Sequence, residues 1–238
     1  MIGEVIRRGS VCAIENAGGR WLHTGWNGGR YDRSRAYSVS VGADWNPNDI
    51  GHDIARRLES EGFDRPGPTL ITGVEATHAR IAAADSITVF ATAGLSNPAT
   101  LPVPGQPESG KVPSADPGHP GTVNVAVWTD RALAAGARAN AIAMVAEAKA
   151  ATLLETVGVP GTSTDAVLVG DRNGGEPVTY CGSGTEIGHS IRVCVRDAIL
   201  ASVRSRYGEI DRDIVSDPVS APLTAAPVDE IATDIRSP

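Results

Sequence analysis

A single α+β domain, with a mixed β-sheet and helices packed on it, is predicted by three observations. Short apolar runs bounded by Gly, Asn and Asp fill the first half of the chain, and two long helical periodicities occupy the second. The third is size: 238 residues with 41% hydrophobic and 21% charged side chains can bury a substantial core.

In order along the chain, Val11 to Ile14, Arg20 to Thr24 and Ala36 to Val41 read as strands separated by turn residues. After Asn46-Pro47-Asn48, Ile50, Ile54 and Leu58 recur at four-residue spacing and Gly62 follows, which predicts a short amphipathic helix with a stop. Thr69 to Thr72 and Ile87 to Ala93 are apolar enough for buried strands. Seven prolines and four glycines between Ser96 and Gly121 exclude a regular element there, and a loop of that length is expected to serve function, here as a lid. Thr122 to Trp128 predicts another strand, and Asp130 is placed to cap an alanine-rich helix that runs to about Val157 before Gly158. Ala166 to Val169 and Val178 to Cys181 read as short strands. A second long helix spans Thr185 to about Tyr207, with Ile187, Ile191, Val195 and Ala198 on one side and Gly208 beyond.

Charge and cysteine content narrow the functional classes. The net charge of -7 lacks the basic footprint that phosphate binding needs, so nucleic acid is not expected as a partner. Much of that charge sits in residues 209–238, where seven acids face two bases, so a folded domain is expected over 1–208 and an acidic, disordered tail over 209–238. Three cysteines without a CxxC pair argue against a disulfide framework and a structural zinc, and a soluble protein of a reducing cytoplasm, not exported, is the expectation. No apolar run reaches membrane-spanning length, and a homo-oligomer is compatible with the composition.

Several residue groups could carry chemistry. The segment GSGTEIG (Gly182 to Gly188) follows a strand-like run and opens a helix, in the manner of a weak nucleotide fingerprint. A capping box with Ser183 and Glu186 explains it equally well. Lys149 shares a helical face with Ile142, Val145 and Leu153, which would desolvate its ammonium unless an acid pairs with it, while Glu147 points nearly the opposite way. Asp165 ends GTSTD (Gly161 to Asp165), where three hydroxyls precede a carboxylate in a turn. Asn97 and Asn124 flank the proline-rich loop. Among the histidines, His78 follows a buried strand and is the best general-base candidate, whereas His23, His52, His119 and His189 share no ligand spacing, so no metal is expected. Cys181 as a nucleophile beside Lys149 is a weaker alternative.

Read together and in order, ATAGLSNP (Ala91 to Pro98), GTVN (Gly121 to Asn124), AEAKAATL (Ala146 to Leu153), GTSTDAV and GTEIG (Gly184 to Gly188) resemble the adenosylcobinamide amidohydrolase family. The likeness runs from about Gly18 to Val203 and is densest from Thr69 onward; before it only the pairs Gly18-Gly19 and Gly28-Gly29 match. It implies hydrolysis of the amide joining aminopropanol to the corrin ring in cobalamin salvage, with the corrinoid as substrate and no separate cofactor. Cys181 departs from the small residue expected at its place.

Amide hydrolysis needs a nucleophile, oxyanion donors and an acid for the departing amine, and chemistry assigns these to positions within the motifs. Asp165 is the base toward water or toward the hydroxyl of Thr162, Ser163 or Thr164, supported by Lys149. Asn97, Asn124, Thr162 and Ser163 orient the substrate, with Thr185 and Glu147 as further contacts, and Glu186 or His78 protonates the amine. Trp21, Trp26 and Trp45 offer flat surface to a corrin or adenosyl group. A non-hydrolytic corrinoid carrier and a nucleotide-dependent enzyme using Gly182 to Gly188 are the alternatives.

Overall fold

The strand-forming runs divide between two mixed sheets rather than joining in one, in a computed structural model that describes residues 4–16, 19–99, 121–208 and 226–227. In chain order the elements are β1 (Val5–Arg8), β2 (Val11–Glu15), β3 (Gly19–His23), β4 (Gly29–Asp32), β5 (Arg35–Ser40), α1 (Ile50–Ser60) and β6 (Thr69–Thr72). A 3-10 turn (Ala76–His78) leads to β7 (Arg80–Ala84), β8 (Ile87–Ala93), β9 (Val123–Thr129), α2 (Ala135–Val157), β10 (Ala166–Arg172), α3 (Glu186–Tyr207) and the two-residue β11 (Ala226–Pro227). The smaller sheet has the order β1-β2-β5-β6 and the larger β11-β7-β8-β9-β10-β3-β4. Each holds one parallel pair, β5 with β6 and β9 with β10, so the α+β class and the mixed pairing are as expected.

Strand alternation builds the layers. In β2, Val11 and Ala13 pack with Tyr37, Val39, Ile54 and Leu58 beneath α1, whereas Cys12 and Ile14 face the other sheet. In the larger sheet Trp21, Phe90, Ala126 and Leu168 meet that inner face, and Val89, Val125, Val127, Val167 and Val169 turn toward α2 and α3. The order is therefore α1, small sheet, large sheet, α2 with α3. Both faces of β8 and β9 are covered, which is why all seven residues of each strand are buried and why they read as continuous apolar runs.

The helices stop where expected, and of the three only α2 starts away from its expected position. Gly158 closes α2 in the left-handed conformation at φ 77°, donating to the Leu153 and Leu154 carbonyls. Asp130 does not cap that helix; its N-cap is Ala134, with no side-chain bond. Thr185, not Ser183, caps α3 by accepting from the Gly188 amide at 3.0 Å, so no box forms with Glu186. Asp49 caps α1 through the His52 amide at 3.0 Å. Val178 to Cys181 is not a strand: Val178 forms an isolated bridge to Leu133. Besides the two-residue β11, three strands escaped the sequence reading because β1 is half charged, β4 begins on glycine and β7 is alanine-rich.

Within the expected tail, Ala226 and Pro227 pair antiparallel with Ile81 and Arg80 of β7. The rest of that segment, and residues 100–120 of the expected lid, lie outside the described residues. Among the described residues no helix is long and apolar enough to cross a membrane.

Candidate active site

Where the amino ends of β9 and β10 lie side by side, the predicted residues of four motifs converge. Asp165, immediately before β10, accepts from the Val123 amide at 2.8 Å, the Thr162 amide at 3.0 Å, the Thr162 hydroxyl and the Lys149 ammonium. An ionised carboxylate has about four acceptor directions. All four are taken, so Asp165 fixes the GTSTD turn and holds Lys149 beside it, both side chains being only 11% and 13% exposed. Gly161 leaves room for the pair: a Cβ there would come within 2.4 Å of the Asp165 carboxylate and 2.5 Å of Lys149 Nζ. The turn is tied to the ATAGLSNP segment, since Asn97 Nδ2 donates to Ser163 Oγ at 2.7 Å and the Ala99 amide to the Gly161 carbonyl at 2.9 Å. Thr164 Oγ1 and Thr122 Oγ1 are 3.0 Å apart.

Asn124 is fully buried and spans the two sheets: its amide donates to the Ile71 carbonyl of β6 at 2.9 Å and its oxygen accepts from the Ala166 amide at 3.0 Å. Both ends of the side chain are thereby used in joining β6, β9 and β10.

Beside this junction the inter-sheet layer opens into a cleft of about 310 Å³. Thr122, Thr164, Ala166 and His23 form one wall, Thr69 to Gly73 the other, and Trp26, Trp45 and Ile50 the rim. Trp45 is set by a 2.8 Å bond from its indole to Asp53, whose carboxyl Arg57, Trp45 and Arg56 hold far below the usual carboxylate range. A smaller neighbouring hollow of about 200 Å³ shares Trp26 and Thr69 and reaches Tyr31. Trp21 does not reach the cleft; it is fully buried between the sheets.

His23 is a residue the sequence reading set aside. It is 3% exposed, and neither ring nitrogen has a partner among the described residues. Its pKa is lowered to about 4 because burial disfavours the charged ring. The sign follows directly. Between the ordinary value of 6.5 and 4 the unfolded chain binds a proton that the folded chain refuses, so folding stability falls as pH drops through that window. The loss approaches an order of 3 kcal/mol. Urea unfolding at pH 7, 5.5 and 4.5 checks it: the parent should lose stability that His23→Gln retains, and equal slopes would refute the effect.

Other predicted residues lie elsewhere. Thr185 and Glu186 sit at the start of α3, where Ser190 bonds Asp85 of the β7–β8 turn at 2.6 Å. That is the opposite end of the large sheet from Asp165, roughly 20 Å along a seven-residue strand. Glu147 is exposed and pairs with Arg192 of α3 at 3.4 Å. His78 contacts Ser205 Oγ at 3.0 Å, and burial and the neighbouring Arg206 lower its pKa. Cys181 is fully buried and its thiol is pushed up to about 11 by burial, which argues against a thiolate nucleophile. Among the described residues no three His, Cys, Asp or Glu side chains cluster as metal ligands.

Comparison with known proteins agrees with the motifs. A family model described as adenosylcobinamide amidohydrolase matches residues 2–211. A Halobacterium salinarum protein of that name is 47% identical over 205 residues, covering 85% of this chain and 88% of the relative. One from Methanosarcina mazei is 28% identical over 195 residues, covering 78% and 90%. Among solved structures, the PH0078 protein from Pyrococcus horikoshii OT3 aligns with a TM-score of 0.38 at 14% identity, covering 85% of this chain and 81% of that one.

Proposed function

The chain belongs to the adenosylcobinamide amidohydrolase family, and from that membership we infer that it hydrolyses the amide linking aminopropanol to the corrin ring, releasing adenosylcobyric acid in cobalamin salvage. One observation supports this location for the chemistry: Thr164, next to the fully bonded Asp165, is also part of the cleft wall, so the family motif GTSTD and the cleft meet at that residue. A volume of about 310 Å³ suits the aminopropanol arm and its amide, while the corrin ring stays outside on the rim, where Trp26 is 38% exposed.

In this reading Asp165 and Lys149 are positioning residues. They hold the turn so that the Thr164 and Thr122 hydroxyls present hydrogen-bonding groups to the amide and to the charge that develops on its oxygen. Asn97 supports the same turn through Ser163, and Asn124 sets the separation of the walls. No step is assigned to a metal or cofactor; the corrinoid is the substrate. A reducing, cytoplasmic setting is supported by Cys12, Cys181 and Cys194, all buried and none in a disulfide.

Incubation with adenosylcobinamide, followed by quantification of free aminopropanol and adenosylcobyric acid, tests the reading. Stoichiometric release of both is expected. Binding of the corrinoid without release would instead identify a carrier.

A further inference from the structure

On that functional reading, we propose that His23 is a catalytic residue of the cleft: its imidazole takes a proton from the attacking water and delivers it to the departing aminopropanol nitrogen. Four observations carry this. His23 ends β3 opposite Leu168, on the sheet face that also carries Ala166, and so lines the same cleft wall as Thr122 and Thr164. It is 3% exposed, yet both nitrogens lack partners among the described residues, whereas Asn124 in the same layer has both ends bonded. The chain keeps space beside it, because Gly25 lies so near that a Cβ would stand 2.8 Å from Nε2. Finally, among the described residues the cleft lining contains no other titratable side chain, and Asp165, which adjoins the lining residues Thr164 and Ala166, has all four acceptor directions filled. Burying an imidazole with neither nitrogen paired is costly, and a substrate amide and water would remove that cost.

The step balances without a co-reactant. One O–H bond of water breaks and its proton passes to the imidazole as oxygen bonds the amide carbon. The C–N bond then breaks, the imidazolium proton moves to the amine nitrogen, and neutral His23 is restored. The new carboxylic acid ionises to solvent. The lowered basicity of the ring suits the return half of this cycle, since a weakly basic imidazole gives its proton up readily.

The test uses the intact protein with His23→Gln and His23→Asn, two neutral replacements that keep a polar group in the wall. Parent enzyme must first release aminopropanol; if it binds adenosylcobinamide without cleaving it, the functional reading fails before His23 is at issue. With an active parent, the expected result is a fall in kcat of about 100-fold or more, while KM, corrinoid affinity read from the visible spectrum, and the melting temperature stay near parental. Parental kcat in either folded variant overturns the proposal. So does a loss of rate that comes with lost corrinoid affinity or lost cooperative melting in both variants, which would return His23 to a packing role.

Discussion

Lys149→Met should destabilise the protein by about 3 kcal/mol, toward the low end for a broken buried ion pair because both side chains keep slight exposure. Methionine fits the volume and the apolar face of α2 but strands the Asp165 carboxylate with three neutral donors, Val123 N, Thr162 N and Thr162 Oγ1. For a domain of this size the change corresponds to a melting temperature lower by about 6–12 °C. Turnover should drop as well, since the turn that presents Thr164 loses its anchor. A double variant, Lys149→Met with Asp165→Asn, should lose less than the sum of the single changes, because the stranded charge is gone. A single Lys149→Met protein that melts with the parent would show that the pair contributes nothing to the fold.

Asp171→Ala is expected to be at least as costly, about 3–5 kcal/mol, and for a reason unrelated to the cleft. Asp171 has no exposed surface, accepts from the Leu133 amide at 2.8 Å and from Arg20, and lies 3.6 Å from Arg138, itself 93% buried on its side chain. Burial already pushes the Arg138 guanidinium below its ordinary value, and Asp171 is the charge that counters it. Removing the carboxylate leaves two cations and an amide without their common acceptor. Asp171 ends β10 on the side away from Asp165, so kcat per folded molecule should be parental. Differential scanning calorimetry beside an active-site titration separates the two effects. An unchanged transition would exclude a structural role for the cluster, and a normal transition with lost turnover would move it into the catalytic machinery.

These two carboxylates also mark how far the sequence could be read. Asp165 and Lys149 were legible because each sits inside a motif whose order along the chain is informative, and because a lysine on an apolar helical face asks for an acid. Asp171, Arg20 and Arg138 were not, since they come together only when β3 pairs with β10 and α2 packs behind them; no local pattern encodes that. The same reason hides the second sheet. Alternation in β2 and β5 announces two faces but does not say that one covers α1 and the other a second sheet. Glu186 and Thr185 misled in the opposite direction: their motif is clear in sequence, yet α3 starts at the far end of the sheet. His23 gave no signal at all, because an unsatisfied ring is a property of its surroundings and not of its neighbours in the chain.

The link through Asn124 has a kinetic consequence for how a bulky ligand gets in. Because that side chain bonds the Ile71 carbonyl across the two sheets, parting the walls would break a buried hydrogen bond and expose both of its ends. Hinge opening of the sheets, a microsecond-to-millisecond motion, therefore carries the cost of that broken bond. The rim adds the other variable, since Trp26 is partly exposed there while Trp45 is held by its bond to Asp53. An exposed side chain such as Trp26 reorients in picoseconds to nanoseconds, far faster than the scaffold can move.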